Sequence, residues 1–231
     1  MRARQRHFNP KHAGAIAAYD ARFISGLSDG DGVATWPSRT GTNDATQSTV
    51  GNQPNYETNE IGGQPVVNFT PANSDRLDIN ITIPNSVTMV AVHRRNTTAI
   101  HTINFGTSNN APNDVYAFWW FADNVIYTKW VTANSTFYTF SPAQTNTGSI
   151  IISSTKNGTT SSQIYLNGST FRAAITPTTS SGSFTRLGVT QRTTYNNGAM
   201  GSACLIDAFV SDGLRKRLEH AAAFSFKIAC N

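Results

Sequence analysis

The chain has 231 residues, of which 39% are hydrophobic, 13% charged and 10% aromatic, with two cysteines and a formal net charge of +5. That composition excludes a collagen, a coiled coil, a disulfide-stapled miniprotein and a disordered tail, and the length suits one domain large enough to bury its own core. The longest apolar runs, Ala13 to Tyr19 and Tyr116 to Phe121, fall far short of the roughly 18 residues of a membrane-spanning helix, so no membrane insertion is expected.

In chain order, the first feature is a basic arm, residues 1–14, ahead of one folded unit, 15–231. Arg2, Arg4, Arg6 and Lys11 carry four of the 18 basic charges with no acid among them, which leaves the rest of the chain close to neutral. The arm reads as a solvated end or as a tail that docks onto an acidic partner; no zinc-finger spacing, RNA-recognition signature or basic helix accompanies it, so specific nucleic-acid recognition is not expected. The following Ala13 to Tyr19 is too short and too alanine-rich for an export signal. Ser28-Asp29-Gly30-Asp31-Gly32 is the one candidate calcium loop, but two carboxylates are few for a cation that takes six to eight oxygens, and no other cofactor is expected. Glu57 and Glu60 fall in a stretch rich in Gly and Asn that reads as a loop.

Beyond it, short β-prone runs alternate with Gly, Pro, Asn and Ser/Thr clusters. Strands are expected at Val66 to Phe69, Leu77 to Ile83, Val87 to His93, Ile100 to Phe105, Val115 to Phe121, Val125 to Val131, Thr136 to Phe140, Ser149 to Ser154, Gln163 to Leu166, Phe184 to Val189 and Cys204 to Val210. Val87, Met89 and Ala91 alternate with Thr88, Val90 and Val92, as in a strand covered on both faces. Asn167-Gly168 is a tight-turn signal. Near the end, Ser211-Asp212 caps a helix on which Leu214, Leu218, Ala221 and Ala222 share a face, with Arg215, Lys216 and Glu219 outward. Phe224, Phe226 and Ile228 then alternate like a short strand. Cys204 and Cys230 read as idle thiols or as a bridge near that helix, and His93 and His101 as a partly exposed pair across a hairpin rather than a zinc site.

The aromatic cluster points to a contact surface. Phe118-Trp119-Trp120-Phe121, Tyr127 and Trp130 fall on two neighbouring strands, with Asn113, Asp114 and Asn124 in the adjoining loops. Three readings stay open for the outward rings: core packing, a subunit interface, and a platform on which Trp119, Tyr127 and Trp130 stack on sugar while Asn113, Asp114 and Asn124 bond its hydroxyls. Tyr195 and Asn196 form a second candidate contact loop.

Several stretches together carry a resemblance. These are Ala15 to Ala21 followed by Val33-Ala34-Thr35-Trp36; Asn52-Gln53-Pro54, then Gly63 to Phe69 with Ser74-Asp75-Arg76-Leu77; Ile164-Tyr165-Leu166-Asn167-Gly168 with Arg186-Leu187-Gly188; and Leu205 to Asp212 leading to Arg217-Leu218-Glu219 and Phe226-Lys227-Ile228. In order and spacing the chain resembles a concanavalin A-like jelly roll of the laminin-G-like kind. The resemblance implies an all-β, two-sheet antiparallel sandwich with Trp36, Phe69, Leu77 and Leu187 in its core, and a family used more widely for binding glycans or proteins than for catalysis. Its hydrolase members place paired carboxylates on one strand as a Glu-X-Asp-X-X-Glu-like cluster, which this sequence lacks; Asp75 and Asp78 flank Arg76, where structural pairing is expected. The function expected on these grounds is a non-catalytic, lectin-like component of a virion, bacteriophage in kind, assembled in the host cytoplasm and exposed on the particle. Its partners would be other virion proteins, further copies of itself and a host or environmental polysaccharide held through many copies. A free-standing lectin or adhesin is the alternative, with a glycoside hydrolase behind it.

Overall fold

The computed structural model describes residues 14–97, 102–103, 105–107, 116–120, 126–129, 138–140, 148–170, 176, 182–189 and 196–230. Arg2, Arg4, Arg6 and Lys11 of the arm, His101, and the predicted contact residues Asn113, Asp114, Asn124, Trp130 and Tyr195 lie outside them.

The strands are β1 (Ala15–Asp20), β2 (Thr35–Trp36), β3 (Ala45–Thr46), β4 (Asn55–Ile61), β5 (Gln64–Phe69), β6 (Leu77–Thr82), β7 (Val87–Arg95), β8 (Thr102–Ile103), β9 (Phe105–Gly106), β10 (Tyr116–Trp120), β11 (Ile126–Lys129), β12 (Tyr138–Phe140), β13 (Ser149–Asn157), β14 (Ser161–Leu166), β15 (Ser169–Thr170), β16 (Ser183–Leu187) and β17 (Gly198–Ile206), followed by helix α1 (Asp212–Phe226). They form two antiparallel sheets. Sheet A runs β15-β14-β13-β7-β17-β5-β4, with β1 also on β17; sheet B runs β12-β11-β10-β9-β16-β6-β3-β2, with β8 on β10. The expected all-β sandwich is present.

Alternation decides what lies between the sheets. On β6, Leu77, Ile79 and Ile81 are buried while Asp78, Asn80 and Thr82 are exposed. Trp36, Phe69, Leu77 and Leu187 are all core residues, as the resemblance implied, and Tyr19 packs at a tilt of 52° against Trp36 with ring centroids 5.6 Å apart. β7 is covered on both faces. Its Val87, Met89 and Ala91 enter the core between the sheets, whereas Val90 and Val92 face a second apolar layer shared with Leu218, Ala223 and Phe226 of α1.

Four sequence expectations need correction. First, 55–61 is a strand and not a loop: Gly62 and Gly63, at φ 61° and 75°, make a two-residue turn that folds β4 onto β5. Second, Phe224 and Phe226 belong to α1, which runs on to Lys227 at φ 52°. Third, Arg215 and Glu219 point inward. Their side chains are 2% and 1% exposed, the guanidinium meets both Glu219 oxygens at 2.5 Å, and Ser153 of β13 donates its hydroxyl to Glu219. Simple apolar periodicity assigns charged residues to solvent and misses an ion pair that closes on itself. His93 is likewise fully buried rather than partly exposed.

Phe226 fixes how α1 sits. A Cβ on Gly201 of β17 would come within 2.4 Å of the Phe226 ring, and one on Gly62 within 1.9 Å of the Phe226 carbonyl oxygen, so helix and sheet approach as closely as backbone permits. Gly201→Ala should lower stability by about 1–3 kcal/mol through overpacking, read as a drop in urea midpoint, and Phe226→Leu in the same chain should recover part of the loss. An unchanged midpoint would show that α1 does not seat on β17 in this way.

Candidate functional site

The outer face of sheet A carries two concentrations of functional groups, separated by α1. The first is polar and lies on β4, β5 and β7. Glu57 is paired in register with Val66, whose side chain packs toward α1, so Glu57 faces outward, as does Asn68 two residues beyond Val66. Asn68 Nδ2 donates to Glu57 Oε1 at 2.7 Å, and Asn96 Nδ2 donates to Asn68 Oδ1 at 3.0 Å. The register shifts between Glu57 and Ile61, and Asn59 there has φ 58°, which releases Glu60 from strict alternation. Its Oε2 meets Arg94 Nη1 at 2.6 Å, with the two side chains 33% and 26% exposed. Between Asn68 and Arg94 the sheet presents only Ala199, which pairs with both. Two half-buried carboxylates, two amides and a guanidinium thus share one open face.

The second concentration is a cleft of about 520 Å³ between sheet A and the C-terminal half of α1. β1 and β17 form its floor. The 3-10 turn Ala21–Phe23 brings Arg22 and Phe23 to its rim, and Arg39 reaches over from the loop after β2. Asp20 accepts from Arg22 Nε at 2.9 Å and Nη2 at 2.6 Å, so its charge is already matched. Cys204 forms part of the wall, and burial pushes its thiol up to about 12, which leaves it an unreactive apolar group. Cys204 and Cys230 are both free.

Other acids serve the framework. Asp29, in the candidate calcium loop, accepts from the Thr58 N–H at 2.6 Å and the Thr58 hydroxyl at 3.0 Å, covering the free edge of β4; these bonds hold its carboxyl below the usual range. Asp31 accepts from the Ser28 N–H at 2.6 Å. Among the described residues no three His, Cys, Asp or Glu side chains are grouped to hold a metal. Asp75 and Asp78 lie on opposite faces of the strand start: Asp75 is fully buried, while Asp78 is exposed and lies 3.3 Å from Arg186 and 4.0 Å from Arg76.

Of the sequence-predicted contact residues, Trp119 and Tyr127 stand opposite each other in the β10–β11 register. Asn196 is corrected: it is fully buried, its N–H donating to the Gly188 carbonyl at 2.7 Å, and it builds the turn instead of facing a ligand. Glu57, Glu60, Phe23, Arg39 and Phe224 were not anticipated. Gly62-Gly63 was the available signal for the first two, because a Gly-Gly pair between β-prone runs marks a hairpin and therefore a strand before it.

No protein-family model matches the sequence, and no curated protein matches it. Solved structures do share the fold. An arabinofuranosidase complexed with arabinofuranosyl-α-1,2-xylobiose superposes with a TM-score of 0.67 at 12% identity, over 95% of this chain and 65% of its own. A Trypanosoma rangeli sialidase in complex with sialic acid does so with a TM-score of 0.51 at 12% identity, over 90% of this chain and 33% of its own. This chain therefore spans about a third of the sialidase and just under two thirds of the arabinofuranosidase. At such identity the likeness shows the β-sandwich fold alone and assigns no site. The expectation of a non-catalytic virion protein, with a lectin or adhesin as its alternative, is corrected by this finding: the solved structures that share the fold are a sialidase and an arabinofuranosidase, both glycoside hydrolases.

Asp75 yields a pH dependence. Burial pushes its carboxyl up to about 6, opposed by the hydrogen bond it accepts from the Thr70 N–H at 2.8 Å. A raised acid favours the fold when protonated, so its contribution is complete below the ordinary value of 3.8 and is lost as pH rises through about 6. The melting temperature of the wild type should therefore rise from pH 7 to pH 4.5 relative to Asp75→Asn, and parallel profiles for the two proteins would refute the assignment.

Proposed function

We propose that this chain is a carbohydrate-active β-sandwich of the glycoside hydrolase kind, which holds sugar on the polar face formed by β4, β5 and β7. The observation that carries the reading is the convergence of Glu57 and Glu60 with Asn68, Asn96 and Arg94 on that face. Hydrolysis of a glycosidic bond needs one carboxyl to protonate the leaving oxygen and a second to act as base or nucleophile. Glu60, held at 2.6 Å by the Arg94 guanidinium, and Glu57, whose Oε1 accepts from Asn68 Nδ2, are the two carboxyl groups that would share these roles. The two asparagine amides provide donors and acceptors for sugar hydroxyls. The finer fold assignment, laminin-G-like within the concanavalin A-like group, belongs to the same proposal and rests on the sequence stretches quoted above.

The fold relatives indicate which substrates to try first, an arabinofuranoside and a sialoside. Purified protein should release chromophore from a para-nitrophenyl arabinofuranoside or a methylumbelliferyl sialoside. Glu57→Gln and Glu60→Gln should each lower kcat/KM by about a hundredfold or more, with circular dichroism unchanged. Activity equal to wild type in both variants, or no turnover of these substrates or of arabinoxylan, would overturn the proposal.

A further inference from the structure

We infer that the cleft between α1 and sheet A binds an amphipathic organic anion from solution, an acyl or aryl body carrying a carboxylate. This site is separate from the polar face proposed for sugar, and its lining is of the opposite character. Ala18, Val90, Ala203, Leu218, Ala222 and Phe226 make most of its wall apolar, alongside the uncharged polar side chains of Gln64, Ser202 and Ser225. A volume of about 520 Å³ falls within the range of small-molecule sites. The mouth is also apolar: Phe23 and Phe224, 52% and 65% exposed, both line it, and they are two of only four large hydrophobic side chains exposed among the described residues.

Charge at the rim selects the head group. Arg22, Arg39 and Lys227 line the cleft against one acid, Asp20, and that acid is taken by Arg22. Arg22 also lies over the Phe226 ring at 5.2 Å, which holds it against the inner wall. Arg39 and Lys227 have no ion-pair partner among the described residues. The Arg39 guanidinium carbon lies over the Phe23 ring, 3.9 Å from its centroid, a cation–π contact that uses none of the N–H donors a carboxylate would take. A neutral ligand would leave that excess positive charge unmatched, and a fully polar one would gain nothing from the walls. An apolar body with one anionic end satisfies both.

Isothermal titration of the full chain with decanoate, below its micellar concentration, tests the inference, with decanol as the uncharged control. Saturable binding of one decanoate per chain is expected, weakened about tenfold or more by Arg39→Gln combined with Lys227→Gln, while decanol affinity stays the same in both proteins. Phe224→Ala, at an exposed position, should weaken both ligands. Glu57→Gln should leave decanoate binding unchanged, so failure here and failure of the sugar assignment are separable. Absence of saturable binding, equal affinity of the double variant for decanoate, or sedimentation with phosphatidylglycerol vesicles in place of decanoate binding would overturn the inference.

Discussion

The seating of α1 on sheet A is the constraint on which both candidate surfaces depend. Sheet A has two apolar faces, one closed by sheet B and the other, with Val66, Val90 and Val92, left to be closed by a single helix. One helix is too narrow to cover a sheet of this width. What it leaves open is determined by where it sits, and that is fixed by Phe226 against Gly201 and Gly62 at one end and by Arg215 and Glu219 at the other. Burial of Phe226 is worth roughly 2 kcal/mol, so this contact makes a large contribution for one side chain in a marginally stable fold.

The charged end works differently. Burying a guanidinium and a carboxylate together gains little net stability, because desolvation offsets most of their attraction. Its value here is geometric. Glu219 is bonded to Arg215 and to the Ser153 hydroxyl, Arg215 also reaches Asp212, and its guanidinium lies over the Tyr165 ring at 3.6 Å. Turning or sliding the helix by a residue would leave buried charge uncompensated, a penalty of several kcal/mol, whereas an alanine-rich face alone would tolerate such a slip. The network therefore sets the register of α1 over β13 and β14, and with it the shape of the cleft on the far side.

Much of the sandwich was legible in the sequence, for definite reasons. Leu77, Ile79 and Ile81 alternate with polar residues, Val87 to Val92 are apolar on both faces, and Asn167-Gly168 sits between two β-prone runs; each is a local signal whose period survives folding. β4 lacked one. Between Tyr56 and Ile61 its residues are polar because the strand lies at the sheet edge with one face open, and a bulge breaks the alternation, so composition suggested a loop. Those same conditions, an open edge and a broken period, turn Glu57 and Glu60 to one side. The inward Arg215 and Glu219 were hidden for a related reason: pairing between two charges four residues apart looks the same in sequence whether it faces water or protein. Phe23, Arg39 and Phe224 come from three distant segments, and nothing local joins them.

The two surfaces on sheet A differ in a manner that follows from distance to α1. Near the helix the sheet residues must be small or apolar to accept it, and Ala18 and Ala203 of the sheet, with Ala222 of α1, leave space where larger side chains would have closed the gap. Beyond the helix the sheet faces solvent, apolar packing no longer dictates residue type, and Asn68, Arg94 and Glu57 appear on strands whose neighbouring positions, Val66 and Val92, remain valine. One helix placed across part of one sheet thus divides a continuous β surface into a greasy recess rimmed by cations and an open polar shelf. The fold shared with glycoside hydrolases supplies the sheet, but the division comes from this chain's own α1, and the chemistry of each part has to be read from the side chains that the division leaves there.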